Sequence, residues 1–353
     1  MSERSHRIAV MAGDGVGPEL VDAALRVLDE LTRIDGFDVD LVAFPNSAAH
    51  YLATGELLGE EAFERLATCD SLLFGAAGDP RLQPGLIERA LVLDVSHRLD
   101  LSIGVRPAYL HSSNLTPLKG LQRGDIDLVI VRDTTEGELA IPGGSVQPGT
   151  VAEATASIVI HTRQAVDRTL TYAFELARKR RGRVSLVASS NVFVPHQLWE
   201  RRFEVLGETY ADIEQEVLAP DAAGMYLVSS PQRFDVIATT LLFGGILSDV
   251  VGALVGGIGL IGSVRFNPVT HFGLYEPSHG SAPKYTGLNL VSPMATLNAV
   301  AMLIDDLGQH RSATRLRAAI DDVLSHGRAG LSTRSGIGTR EATDEVIESL
   351  SLD

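Results

Sequence analysis

The chain has 353 residues, 45% of them hydrophobic and 21% charged, and carries a formal net charge of -15. That length allows one large or two medium domains with a real core. The acidic balance excludes nucleic acid or an anionic membrane as the main partner, while leaving room for a small anion held by a local arginine cluster. One cysteine, Cys69, excludes an internal disulfide and points to a reducing compartment. The stretch from Met1 to Arg7 is polar, and no apolar run approaches the roughly 20 residues that span a bilayer, so a cytoplasmic protein is expected.

In chain order, Ile8-Ala9-Val10-Met11 reads as a short strand and Gly13-Asp14-Gly15-Val16-Gly17-Pro18-Glu19 as a turn. Apolar residues at 20, 24, 27, 28 and 31 then predict a helix. Pro18 suits its first turn, where a missing N–H is harmless, and Glu19 complements the helix dipole. Further strands are predicted at Ser71-Leu72-Leu73-Phe74, Asp127-Leu128-Val129-Ile130-Val131, Val184-Ser185-Leu186-Val187 and Phe234-Asp235-Val236-Ile237-Ala238. Helices are predicted at 165–179 and 293–307. Such alternation indicates an α/β fold with a largely parallel core. Cys69, just before an apolar run, reads as a buried structural thiol. From 136 to 163 glycine and proline punctuate short β-prone pieces (Ile141-Pro142-Gly143-Gly144 and Ser157-Ile158-Val159-Ile160). This looks like a β-arm whose edges need a partner, hence a dimer.

Gly257-Ile258-Gly259-Leu260-Ile261-Gly262 spells G-x-G-x-x-G. The pattern holds pyrophosphate only where it joins a strand to a helix, and Ser263-Val264-Arg265-Phe266-Asn267-Pro268 is a poor helix start. A Rossmann assignment is rejected. Other segments come in a fixed order: the Gly13–Glu19 turn, Val105-Arg106-Pro107, Val131-Arg132-Asp133-Thr134-Thr135-Glu136-Gly137-Glu138, Asp221-Ala222-Ala223 and Phe243-Gly244-Gly245-Ile246-Leu247-Ser248-Asp249. The last is Glu276-Pro277-Ser278-His279-Gly280-Ser281-Ala282-Pro283-Lys284-Tyr285. Together they resemble the β-decarboxylating dehydrogenases of isopropylmalate, isocitrate, homoisocitrate and tartrate, over essentially the whole chain.

The resemblance implies the two-domain, non-Rossmann α/β fold of isocitrate and isopropylmalate dehydrogenases, with a cleft between the domains. Residues 1–101 plus 256–353 would form the cofactor-side domain. Residues 102–255 would form the middle domain, with a homodimer interface and a β-arm at about 133–163. It also implies that Glu276, His279, Gly280, Ser281, Ala282 and Pro283 wrap the adenosine and phosphates of a nicotinamide dinucleotide. NAD-using members tend to carry aspartate at 284. Here Lys284-Tyr285, with Val291, follows the NADP-using pattern, since a lysine and a phenol can meet a 2′-phosphate that an aspartate would repel. Ser292 replaces the usual asparagine. NADP is therefore expected over NAD.

On the chemical side, Arg106 and Arg132 match two arginines that clamp substrate carboxylates, and Asn191 matches a substrate-side asparagine. Asp221 and Asp249 match two of three aspartates that hold Mg²⁺ or Mn²⁺. Four positions depart. Ser96 replaces the first clamp arginine, for which Arg98 or Arg89 could substitute, and Gly245 the third aspartate, which weakens or abolishes the divalent site. Leu139 stands at the catalytic tyrosine position and Ser189 at the lysine position. Losing one general acid or base typically lowers a rate by about 10² to 10⁴.

Three readings stay open. One is a divergent NADP-dependent oxidoreductase acting on another small anionic hydroxy acid, with Asp221 or Asp249 free to act as base. A second is a non-catalytic, ligand-binding paralogue paired with a catalytic homologue. The third is a standard family enzyme with compensating residues. The substrate-selecting segment around Pro84 to Arg98 matches no member's pattern.

Overall fold

The computed structural model describes residues 5–138, 143–326 and 337–351. The chain divides into two compact units: Met1–Leu101, Arg106–Ile126 and Gly252–Asp353 form the first, Ser102–Val105 and Asp127–Val251 the second. The stretch 106–126, expected with the middle of the chain, falls in the first unit.

The first unit opens with strand β1 (His6–Gly13) and helix α1 (Gly17–Asp35). Proline near its start and Glu19 in its first turn begin α1, and Gly36 at φ 74° ends it by donating to the Thr32 carbonyl. Its Leu20, Ala24, Val27, Leu28 and Leu31 are buried as their spacing predicts. Each such leucine contributes about 1.5–3 kcal/mol relative to an exposed one. Next come β2 (Val39–Phe44), α2 (Ala48–Thr54), α3 (Glu60–Ala67) and β3 (Ser71–Ala76). Cys69 is a buried free thiol there. Helix α4 (Leu86–Glu88) runs through a π-helical turn, Arg89–Leu93, into α5 (Asp94–Arg98). The chain changes units within β4 (Ile103–Tyr109).

The second unit contains β5 (Asp127–Asp133), the arm strands β6 (Gly144–Val146) and β7 (Ala154–Ala156), α6 (Arg163–Arg178), β8 (Arg183–Val187), α7 (His196–Gly207) and β9 (Glu214–Leu218). It continues with α8 (Pro220–Ser229), β10 (Val236–Thr239) and most of α9 (Leu241–Val255). Strands run in the order β5-β10-β8-β9, all parallel, with Val236 opposite both Val129 and Val184. Phe174 of α6 stacks on Phe203 and Tyr210 at 5.2 and 4.7 Å. Asp235, 1% exposed, accepts from Arg180 Nε at 2.8 Å and from the Arg181 and Arg183 backbone N–H groups. The arm ladder pairs Ser145 with Thr155. It shares only Gly144 with the predicted pieces: residues 157–160 carry no strand, and 139–142 lie outside the described residues.

Back in the first unit are β11 (Gly262–Phe266), β12 (Gly273–Pro277), α10 (Met294–Asp306), α11 (His310–Ser325) and α12 (Thr339–Leu350). The strand order is β2-β1-β3-β12-β11, parallel except for β11 against β12. The glycine decoy at 257–262 forms one 3-10 turn and then enters β11. It leads into a strand, so it makes no helix N-terminus for a phosphate.

Candidate functional site

In the first unit the N-terminal turn and the loop after β12 are tied backbone to backbone. Val16 N–H donates to the Ser281 carbonyl at 2.9 Å. Gly15, at φ +58°, comes so close that a Cβ there would lie 1.9 Å from the same oxygen. Asp14 knots this region together. Its N–H donates to Ala76 O at 2.8 Å, and its carboxylate accepts from Ala48 N–H at 2.8 Å and Gly78 N–H at 3.1 Å. Burial pushes the Asp14 carboxyl above the usual carboxylate range, against the pull of those two bonds. The sequence motif contained Asp14, but spacing could not show that it joins three segments.

The loop itself is ordered by local bonds. Glu276 is buried and accepts from Arg265 Nε at 3.2 Å, which commits it to holding the loop's base. Ser278 N–H donates to Ile261 O at 2.9 Å. His279 Nδ1 donates to Gly280 O at 2.9 Å, and burial lowers its pKa, so the ring is neutral with Nε2 free to accept. A Cβ at Gly280 would meet nothing within 4 Å, so the space over that backbone is open. Ser281 is buried, Ala282 sits at φ 39°, and Pro283–Tyr285 form one 3-10 turn. Lys284 is exposed, its ammonium 4.7 Å from the centre of the Tyr285 ring. Further on, Val291 O accepts from Thr339 Oγ1 at 2.7 Å, and Ser292 Oγ accepts from Met294 N–H at 3.4 Å. Burial raises the pKa of Glu19 in α1, against the pull of the Asn289 and Gly287 backbone N–H groups.

The arginines are buried on their strands. Arg106 on β4, in the first unit, donates through Nε to Ser263 Oγ at 3.3 Å. Arg132 on β5, in the second, lies against α9, where a Cβ built at Gly244 would be 2.8 Å from its Cδ. Ser96 is fully buried on α5, its Oγ without a partner. Arg98, expected as a possible substitute clamp, pairs with Glu60 at 2.6 Å and lies 3.3 Å over the Phe63 ring. Arg89 is exposed on the π-helical turn. A cavity of about 350 Å³ opens beside this segment between Leu57, Leu58, Ala90 and Val95.

Asp221 and Asp249 are both exposed, on α8 and α9, and Asp221 Oδ1 accepts from the neighbouring Ala222 N–H. Neither belongs to a group of carboxylates and imidazoles at ligand spacing among the described residues, and position 245 offers no oxygen. Two exposed carboxylates without a third leave a hard Mg²⁺ or Mn²⁺ ion to complete its six oxygen ligands from water or substrate. Asn191 is exposed in a turn after β8, and Leu139 lies outside the described residues.

The second unit also brings together three residues that sequence spacing did not single out. Glu138 was read only as part of a motif, while His161 and His196 stand alone in the sequence. His196, 1% exposed at the start of α7, accepts the Ser189 backbone N–H on Nδ1 at 3.1 Å. Its Nε2 therefore carries the proton and donates to Glu138 Oε1 at 2.9 Å. Burial alone would raise the Glu138 carboxyl, but the bond from His196 and nearby charge bring it below the usual range. His161 stands 5.6 Å from the His196 ring, centre to centre.

A family model described as isocitrate/isopropylmalate dehydrogenase matches residues 7–350. A 3-isopropylmalate dehydrogenase of Clavibacter michiganensis subsp. michiganensis is 40% identical over 357 residues, covering 99% of each chain. One from Beutenbergia cavernae is 40% identical over 335 residues, covering 94% of this chain and 96% of that one. Among solved structures, isocitrate dehydrogenase from Methylococcus capsulatus superposes with a TM-score of 0.87 at 30% identity, covering 98% and 99% of the two chains.

Proposed function

The chain belongs to the isocitrate/isopropylmalate dehydrogenase family, and from that premise we propose that it oxidises the carbinol of a small anionic hydroxy acid with NADP as hydride acceptor. The observation that carries this reading is the dinucleotide wall of the first unit. Its turn and loop are fixed by the Val16–Ser281 bond and by Asp14, and a lysine stands at 284 with a phenol beside it. When bound, the nicotinamide would take the hydride from the carbinol carbon. The chain's own part is to hold the parts still. Neutral His279 offers a flat face and an acceptor to adenine, open backbone at Gly280 admits phosphate, and Lys284 meets a 2′-phosphate. Arg106 and Arg132 each offer a guanidinium to a substrate carboxylate.

Calorimetry with NADPH and NADH tests the reading. A charge-assisted hydrogen bond from Lys284 to the 2′-phosphate contributes about 1.5–3 kcal/mol, so NADPH should bind roughly 10- to 150-fold more tightly than NADH. Lys284→Asp should reverse the order. Equal affinities unaffected by Lys284→Asp would remove NADP preference, and binding of neither dinucleotide would end the reading altogether. A second reading, oxidation of 3-isopropylmalate itself, is favoured by the 40% identity to enzymes with that name. Reduction of NADP or NAD by 3-isopropylmalate with and without Mg²⁺, followed at 340 nm, separates the two. We also propose a homodimer, supported by exposed Val146, Val151, Ile158 and Ile160 on and beside the arm. Light scattering should give twice the 37.7 kDa chain mass.

A further inference from the structure

The second unit holds a group of donors that the dinucleotide reading does not use. One ligand atom each from Glu138, His161 and His196 lies within 4.8 Å of the other two. Glu138 Oε2 and both ring nitrogens of His161 are buried without any hydrogen-bond partner. Polar atoms removed from water and left unpaired are costly, and three of them in one spot mark a place where a ligand would bind. Their surroundings are apolar: Trp199 presents its edge to His161 at 5.7 Å, and Phe193 and Phe243 flank His196 at 4.7 and 5.4 Å.

We propose that Glu138, His161 and His196 form a site for a borderline divalent ion of the zinc class. The donor set decides the ion. Two imidazoles and one carboxylate suit Zn²⁺, whereas Mg²⁺ prefers oxygen alone. With metal–ligand bonds of about 2.1 Å, donors around a tetrahedral ion stand roughly 3.4 Å apart. No gap here exceeds 4.8 Å, so the donors close by at most roughly 1.4 Å, a movement open to His161 because no hydrogen bond restrains its ring. Thr240 Oγ1, donating to Glu138 Oε1 at 3.3 Å, holds the carboxylate from behind. His196 Nε2 now directs a proton at Glu138, and the ion takes the place of that proton. The imidazole must then give up the Ser189 N–H bond or bind as imidazolate, which sets the site below the affinity of a preformed one. A second grouping, Asp133, Glu136 and His161, is the weaker alternative. Glu136 spends both oxygens on the Thr162 N–H and hydroxyl, and Asp133 Oδ1 caps the Thr135 and Glu136 N–H groups.

The test uses the full chain and needs no substrate, so its outcome is independent of hydride transfer. After chelator treatment and dialysis, Zn²⁺ alone is titrated by calorimetry and Co²⁺ by visible absorption. Expected are close to one Zn²⁺ per chain, unaffected by millimolar Mg²⁺, and the intense cobalt bands of a four-coordinate site. His161→Asn, which removes no hydrogen bond and so keeps the fold, should weaken Zn²⁺ at least about tenfold, and Glu138→Gln should do the same. Zn²⁺ uptake that is absent, or equal in wild type and both variants, overturns the proposal.

Discussion

Substituting Gly15 by alanine probes the joint between turn and loop on which the dinucleotide reading rests. Two terms add. An L-residue held at φ +58° costs about 1–2 kcal/mol. The new Cβ would also stand 1.9 Å from the Ser281 carbonyl oxygen, a backbone atom that cannot rotate away. Relieving that overlap means separating turn from loop and losing the Val16–Ser281 hydrogen bond, worth about 0.5–1.5 kcal/mol. The sum is roughly 1.5–3.5 kcal/mol. Gly36→Ala supplies the control: its φ is +74°, but its Cβ would meet nothing within 4 Å, so only the conformational term of about 1–2 kcal/mol applies. Urea unfolding followed by circular dichroism measures both losses, and calorimetry with NADPH measures the consequence. Gly15→Ala should weaken NADPH by about tenfold or more, since every 1.4 kcal/mol is tenfold, while Gly36→Ala should leave affinity unchanged. If the two variants bind NADPH equally, the turn does not position the loop, and the reasoning fails.

Two further outcomes follow from burial. Burial lowers the pKa of both His279 and His111, the latter against the pull of Asp321. As pH falls below about 6.5, the unfolded chain therefore takes up protons before the folded one, and stability drops until the folded pKa values are passed. Histidine NMR titration should place both rings below the usual value, and a normal titration of His279 would contradict its neutral role. In the second unit, Asp235→Ala leaves Arg180 without its buried partner and two backbone N–H groups without an acceptor. Chemical unfolding should show a loss of about 3–5 kcal/mol, and a loss below 1 kcal/mol would mean that Asp127 suffices.

The strand–helix alternation was legible because its signals are local. Leu20, Ala24, Leu28 and Leu31 follow one another at about one helical turn, and Gly36 stops α1 where the apolar spacing ends. The motif from Glu276 to Tyr285 is local in the same way. Strand β9 was not read, because its exposed and half-buried positions carry no apolar run, and β2 was not read although Leu41-Val42-Ala43-Phe44 is one. The arm shifted because glycine and proline mark turns without fixing which flanking residues pair. The Glu138–His196 bond joins residues 58 positions apart, and no periodicity reports such a contact. Nor could spacing show that Glu276 is committed to Arg265, or Arg98 to Glu60.

The resemblance places a third metal aspartate of relatives at Gly245, and the backbone there leaves room for a side chain. A Cβ built at 245 would meet only Arg132 Nη1, at 3.7 Å, an ordinary contact. An aspartate therefore fits, and on α9 it would share a face with Asp249 four residues on. Two like charges at that spacing repel by about 0.2–0.5 kcal/mol, which a divalent ion would offset and the nearby Arg132 guanidinium would partly screen. Gly245→Asp should therefore fold, with at most a small stability loss, and should raise Mn²⁺ affinity, read by electron paramagnetic resonance, by roughly tenfold or more as the carboxylate count rises. His161→Asn made alongside should leave that gain untouched, because the hard-ion position on α9 and the imidazole group are different sites. No gain in Mn²⁺ affinity would mean that Asp221 and Asp249 are not held as metal ligands. The glycine would then be one part of a larger rearrangement rather than the loss of a single ligand.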